Sequence, residues 1–451
     1  MNSCPRPPTR FLAALALLVI TSTLCRAGAG LKLQPHHEDG LYAVGQTVGW
    51  TIETSDANGT RWTYSLKQDN LVELLSGELD LTRGTAVVEI VATKPAMIHL
   101  ELSPYSNSGD HPRTPAARAA SERVLAAAAV SPEQLQPSKP APADFEDFWA
   151  EKLAELRAIP LNPVLTPGES GREGVEYATL ALDNIGGAHV YGQIAKPARQ
   201  GKFPALLLLL WASPPYPFDK AWVTDRAAEG WLALNVMPHD VPGNLPTEFY
   251  AALPQLIKNY NTIYDNDRDR NYFLQMYLGD VRAVDYLQSR PDWNGEVLLV
   301  TGTSMGGQQS LAVAGLHSAV THLIVHVPAG ADSNGALHGR AAGYPNWDST
   351  RPDVMRTALY FDTVNLAAGI KATSLVSMGF IDEVCPPAGI WAAFNRIQGP
   401  KEVVPLVDSP HNHQATVEQQ RPYTERAEAW MSALVQGRAP DVRPLRAKET
   451  R

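Results

Sequence analysis

The sequence predicts an α/β protein: a mostly parallel sheet covered on both faces, preceded by a small β-sandwich. Three observations carry that expectation. From residue 144 onward, short runs of branched apolar residues alternate with stretches of helical periodicity, the pattern of strands buried on both faces. Before residue 130 the runs are short, alternate apolar with polar, and are bounded by turn signals. Between them, Pro132, Pro137, Pro140 and Pro142 make residues 131–143 a stiff extended linker and so a boundary. At 451 residues the chain exceeds one typical core, which fits two domains, 30–130 and 144–436, with a tail at 437–451. Its 44% hydrophobic and 19% charged residues are ordinary for a globular protein.

Residues 1–29 stand apart. Arg6 and Arg10 precede the apolar run FLAALALLVI, and Ala27-Gly28-Ala29 follow it, matching the basic, apolar and cleavage regions of a secretory signal peptide. The run is short for a membrane span. Cleavage after Ala29, a secreted or periplasmic location and no membrane attachment afterwards are therefore expected. The formal charge is −9; Arg6, Arg10 and Arg26 are the only charged residues of the leader, so the remainder carries −12. Such an acidic surface argues against nucleic acid or anionic lipid as a partner. Cys4 and Cys25 leave with the leader. The remaining Cys385 excludes an internal disulfide and a cysteine metal cluster.

In the β-rich region VGWTIET and RWTYSLK flank Asn58-Gly59, whose tolerance of positive φ predicts a hairpin; Asn58-Gly59-Thr60 also fits a glycosylation sequon, and the turn is the preferred meaning. LTRGTAVVEIVAT and AMIHLELSP continue the pattern, and the Ala-rich run 116–129 reads equally as a helix or a last strand. His36-His37-Glu38-Asp39 are adjacent on an extended segment and point to opposite faces, so they read as a solvated strand start, not a metal site. Past the linker, Asp144 is expected to cap a helix with an apolar face of Phe145, Phe148, Trp149, Leu153 and Leu156. GVEYATLAL and HVYGQIAKP read as an antiparallel pair and PALLLLLWA as a buried strand. A helix over 221–229 leads to strand WLALNVMP, and a long helix over 270–288 follows. The strands EVLLVTGT, HLIVHVPAG, SLVSMGFID and KEVVPLVDS and an amphipathic helix over 415–434 complete the domain.

The chemistry starts at Gly302-Thr303-Ser304-Met305-Gly306. A strand, this G-x-S-x-G pentapeptide and a helix, in that order, form a nucleophile elbow that lifts a serine hydroxyl clear of the sheet, as in the α/β-hydrolase fold. At Gly302 and Gly306 a side chain would meet the neighbouring strand or helix. A serine needs a base and an orienting acid, which in this fold follow in the order acid, then histidine, each after a later strand. Asp382 ends SLVSMGFID before two prolines that can open a helix, and His411 follows KEVVPLVDSP; Glu383 and Asp408 are rival acids and His413 a rival base. Cys385 beside its prolines reads as packing, not as a nucleophile. The oxyanion hole would use the N–H of Met305 and a backbone donor near Ala212 or Ser213.

The stretches DFEDFW, YLGDVRAVDYLQSRPDW, VTGTSMGGQQSL, ALYFDTVNLA, GFIDEVCPP and KEVVPLVDSPH resemble the acetyl xylan esterase and cephalosporin-C deacetylase group, carbohydrate esterase family 7, over 144–434. The resemblance implies an α/β-hydrolase fold, ester hydrolysis with no metal or other cofactor, and a tendency to form homo-oligomers. It also implies Asp382 as triad acid and His411 as base. Two departures stand out. Trp211-Ala212-Ser213 replaces the family's His-Gly-Tyr, moving the second donor to Ser213, and His239-Asp240-Val241-Pro242-Gly243 replaces Asp-x-Arg-Gly-Gln. The β-rich region has no counterpart in the plain family members. The expected function is a secreted serine esterase removing acetyl or other small acyl groups from a carbohydrate, with Trp211, Tyr216, Tyr344 and Trp347 as sugar-stacking candidates. A prolyl-oligopeptidase-like peptidase with the same triad and a non-catalytic carbohydrate-binding protein are the alternatives.

Overall fold

The computed structural model describes residues 26–28, 30–54, 61–105, 123–211, 218–243, 245–251 and 258–445. Its first part is two packed sheets. Strands β1 (Arg26–Gly28), β2 (Leu31–Pro35), β4 (Thr47–Thr54) and β7 (Thr85–Val91) form one, in that order. The other runs β3 (Leu41–Tyr42), β9 (Val124–Val130), β8 (Ala96–Pro104), β5 (Arg61–Gln68), β6 (Val72–Asp80). Val48, Trp50, Ile52 and Val88 from the first meet Leu66, Ile98, Leu100 and Leu102 from the second in one core, as period-2 alternation dictates.

The expected hairpin between VGWTIET and RWTYSLK does not form. β4 pairs with β2 and β7, and β5 pairs with β6 and β8, so the two strands belong to different sheets; Asn58-Gly59 itself lies outside the described residues. A turn dipeptide reports that the chain reverses locally, and burial of both apolar faces decides which strands pair. The Ala-rich stretch, as far as it is described, is strand β9. Ala128 and Val130 face the sandwich core, whereas Ala127 and Ala129 face the core of the following domain. A strand held between two cores has room for little more than methyl groups, and this burial overrides alanine's helix propensity.

The linker does not stand free. Leu135 is buried, and the Asn395 amide donates to the carbonyls of Pro132 and Leu135. Beyond it a nine-stranded sheet has the order β10 (Val164–Gly168), β11 (Val175–Asp183), β12 (His189–Pro197), β14 (Leu232–Val236), β13 (Phe203–Leu209), β15 (Trp293–Thr303), β16 (His322–His326), β17 (Thr373–Gly379), β18 (Lys401–Leu406). The pairs from β14 to β18 are parallel and those from β10 to β14 antiparallel. Its helices are α1 (Phe145–Arg157), α2 (Ala221–Glu229), α3 (Thr247–Ala251), α4 (Tyr272–Ser289), α5 (Met305–Leu316), α6 (Pro352–Phe361), α7 (Thr363–Leu366), α8 (Pro387–Arg396) and α9 (Val417–Val435). α1, α4, α5 and α8 bury apolar residues in the core on one face, and α2 and α9 do so on the other. β13 shows why its sequence is continuously apolar: Ala205, Leu207 and Leu209 enter one core and Leu206 the other.

Asp144 precedes α1 but does not cap it with its side chain. Its carboxylate instead accepts from Arg268 Nη1 at 2.6 Å and the Tyr360 hydroxyl at 2.5 Å. A charged donor competes better for a carboxylate than an exposed helix amide does. Parallel register levels the strand ends on one rim: Gly302 pairs with Leu209 and Val325, His326 with Thr303 and Ser377, and Gly379 with Leu406. β13 has β14 on one side and β15 on the other, and at such a switch point the loops part and leave a crevice.

Candidate active site

Ser304 sits between β15 and α5 with φ 56° and ψ −118°, a left-handed conformation that costs a non-glycine residue about 1–3 kcal/mol. Three backbone hydrogen bonds hold it there. Its N–H donates to His326 O at 2.9 Å, and its carbonyl accepts from Gln308 at 3.0 Å and Ala329 at 3.0 Å. The turn closes because Gly302 and Gly306 lack side chains: a Cβ on Gly302 would lie 2.3 Å from the Gly306 carbonyl, and one on Gly306 2.2 Å from Leu209 O.

Asp382 lies three residues past β17 and is fully buried. One carboxylate oxygen accepts from the N–H groups of Val384 and Cys385, each at 2.8 Å, and the other meets His411 Nδ1 at 2.7 Å. An ionised carboxylate only accepts, so Nδ1 carries the proton of the neutral ring. Nε2 is then the acceptor, and it lies 2.9 Å from Ser304 Oγ. Hydroxyl, imidazole and carboxylate thus form one line of hydrogen bonds built from the loops after β15, β18 and β17. The arrangement can take a proton from the serine and hold the resulting imidazolium.

The rival residues take no place in that line. His413 is exposed, its ring 5.2 Å from that of His411 and edge to face with it. Glu383 pairs with Arg123 at 2.9 Å. The Asp408 carbonyl accepts from Gln419. Cys385 is buried, and burial together with the adjacent Asp382 charge pushes its thiol well above the usual range, so it has no thiolate character. Its sulfur, an Asp382 oxygen and a His411 nitrogen lie within 4.8 Å of one another, the one grouping among the described residues that offers a metal three donors including a thiol. Two of those donors already bond to each other.

As the first residue of α5, Met305 has an N–H with no intrahelical acceptor, directed by the helix toward the place where an oxyanion would form. Ala212, Ser213 and Tyr216 lie outside the described residues. Trp211 lies two residues past β13, 45% exposed, with its ring 6.4 Å from that of Trp222. Trp347 instead packs between Phe273 and Phe361, at ring distances of 5.8 and 6.4 Å. Tyr344 holds the acid turn from outside, its N–H donating to Val384 O at 2.9 Å.

Sequence reasoning missed a second polar cluster at the same rim. His326 ends β16, and its ring stacks on Tyr423 at 4.1 Å. Its Nε2 hydrogen bonds to the carbonyl oxygen of the Gln420 side chain, so Nδ1 accepts from Ser377 Oγ at 2.6 Å. Gln420 passes the chain on through Nε2 to Ser409 Oγ at 2.7 Å, and Ser409 donates to Pro410 O at 2.8 Å, one residue before His411. Burial pushes the His326 pKa down to about 4, which keeps the ring neutral. The available signal was a polar residue closing an apolar strand next to the elbow strand.

The sequence model of the family described as "Acetyl xylan esterase (AXE1)" matches residues 130–211 and 260–428. The omitted stretch, 212–259, contains both departures noted at Ser213 and at 239–243. A curated relative, the acetyl esterase Axe7A of Xylanibacter ruminicola, is 30% identical over 404 residues, covering 85% of this chain and 87% of its own. That coverage exceeds what residues from Val130 onward can supply, so the likeness reaches into the β-rich part. Among solved structures, acetyl xylan esterase 1 from Thermoanaerobacterium sp. JW/SL YS485 superposes with a TM-score of 0.58 at 23% identity, over 67% of this chain and 97% of its own. The acetyl xylan esterase from Paenibacillus sp. R4 gives 0.56 at 25%, over 66% and 98%.

Proposed function

This chain belongs to the acetyl xylan esterase family and is a carboxylic ester hydrolase, and on that premise we propose that it removes acetyl or similar small acyl groups from a carbohydrate through an acyl-enzyme on Ser304. One observation carries the reading: the unbroken line from Ser304 Oγ through His411 to Asp382, at 2.9 and 2.7 Å. In the forward step Ser304 Oγ bonds to the ester carbonyl carbon while its proton passes to His411 Nε2. The tetrahedral oxyanion is met by the Met305 N–H and by a second donor at Ser213. The C–O bond to the sugar then breaks, and His411 returns the proton to the leaving oxygen. Water repeats the sequence on the acyl-enzyme and releases the acid. Asp382 holds the tautomer and stabilises the imidazolium throughout.

The relatives' names support an acetylated substrate, and the exposed Trp211 supplies one sugar-sized aromatic face at the rim. The pattern of residues 1–29 supports export. Among the described residues no helix is long and apolar enough to cross a membrane. Cleavage after Ala29 would also remove strand β1 and leave β2 as the sheet edge. The test is acetate release from acetylated xylan by the mature chain, run beside a peptide anilide with Ser304→Ala as the blank. Release of acetate with an inert anilide is expected. Efficient anilide cleavage would make the protein a peptidase, and acetate release equal to the blank would remove the proposed substrate.

A further inference from the structure

The three loops that follow β16, β17 and β18 are each touched by the β-sandwich. Arg123, just before β9, grips Glu383 with both terminal guanidinium nitrogens, Nη2 at 2.9 Å and Nη1 at 3.3 Å, and Glu383 is the neighbour of Asp382 in the chain. Arg123 also lies 3.5 Å from Glu101 of β8, which pairs with Lys67 of β5 at 2.9 Å, so the grip is anchored in the sheet. Gly40 packs so closely on the segments beyond β17 and β18 that a Cβ there would stand 3.0 Å from Val407 and 3.2 Å from Phe380. At the third loop, Asp69 O accepts the Ala341 N–H at 2.9 Å, and Arg340 bridges between Asp69 and Asp332. That loop in turn carries Tyr344, whose N–H holds Val384. Acid turn and base loop are therefore both in contact with the sandwich.

We propose that the N-terminal β-domain is a positioning part of the catalytic apparatus, holding the Asp382 turn through Arg123–Glu383 and the His411 loop through Gly40. This is a different task from that of a separable carbohydrate-binding module, which would leave hydrolysis of a small soluble ester untouched. The proposal rests on Ser304, Asp382 and His411 acting as the triad. Arg123 touches no reacting atom; it fixes where the carboxylate stands behind the imidazole. Displacement of that carboxylate by a fraction of an ångström lowers turnover without altering how a small ester binds.

The experiment uses the full mature chain and p-nitrophenyl acetate. Arg123→Ala and, as an isosteric alternative that preserves packing, Glu383→Gln are each expected to lower kcat about fivefold to twentyfold with KM within about twofold. The charge exchange Arg123→Glu with Glu383→Arg is expected to recover at least half of the loss. The acid limb of the kcat/KM profile should move in the single variants and return in the exchange. Lys32→Ala breaks a 3.3 Å pair with Glu53 inside the outer sheet and serves as the control, expected to retain kcat whatever its Tm does. Wild-type kcat and an unmoved acid limb in both single variants, with only Tm lowered, would overturn the proposal and leave the sandwich a purely stabilising domain. Ser304→Ala is measured alongside: full activity there would remove the triad itself, an outcome separate from the Arg123 result.

Discussion

Two serine–histidine pairs stand at the same rim, and only one has a carboxylate behind its histidine. Ser304 and Ser377 each direct a hydroxyl at a histidine nitrogen, at 2.9 and 2.6 Å. Behind His411 is the Asp382 carboxylate, and behind His326 is the Gln420 amide oxygen. A carboxylate stabilises an imidazolium, whereas an amide oxygen offers a dipole and leaves the ring neutral. The serines differ as much. Ser304 occupies a left-handed turn before a helix, and Ser377 is fully buried within a regular strand. A hydroxyl–imidazole contact is therefore not sufficient. The charge behind the ring and the backbone beneath the hydroxyl separate a nucleophile from a structural link.

The two pairs differ most at the carboxylate. Asp382→Asn keeps the shape but turns His411 to the wrong tautomer, so ester kcat/KM should fall about 10⁴-fold, read by steady-state hydrolysis of p-nitrophenyl acetate. A loss below tenfold would mean that the acid lies elsewhere. The next effect is on stability. His326 has its pKa depressed to about 4, so between 6.5 and 4 the unfolded chain binds a proton that the folded chain refuses. Its contribution is complete above about pH 6.5 and is lost as pH falls through 4, a change of about 3 kcal/mol. His322, lowered to about 4, and His99, lowered to about 3, act in the same sense. Urea midpoints should fall from pH 7 to pH 5, with a shallower slope in His326→Gln; an unchanged slope would show that His326 is not buried neutral.

Smaller effects test the second pair's supporting role. His326→Ala removes the link from Ser377 to the base loop and should lower kcat about tenfold with little change in KM. Ser377→Ala deletes one hydrogen bond of about 1 kcal/mol and should stay within about threefold of wild-type kcat. A Ser377→Ala defect larger than that of Asp382→Asn would reverse the assignment of the two pairs.

What was legible in the sequence was local. The elbow is a spacing of two glycines around Ser304, and the buried strands are contiguous apolar runs whose helical returns fix parallel pairing, so the sheet and the order Ser304, Asp382, His411 could be read in advance. Sandwich pairing is decided by partners far apart in the chain, and the Asn58-Gly59 turn could not say that β4 and β5 belong to different sheets. β10 escaped because its residues are exposed and lack an apolar run. The His326 cluster escaped for the same reason as the pairing: a histidine closing an apolar strand marks a polar position, but its partners Gln420 and Ser377 come from other elements.

Covalent trapping asks whether Ser304 is the nucleophile. Incubation with a small fluorophosphonate followed by peptide mapping should give one adduct, on the peptide carrying Ser304, growing in step with the loss of esterase activity and absent from Ser304→Ala. Complete inactivation with the adduct on another residue, or a fully labelled Ser304 with undiminished ester hydrolysis, would contradict it.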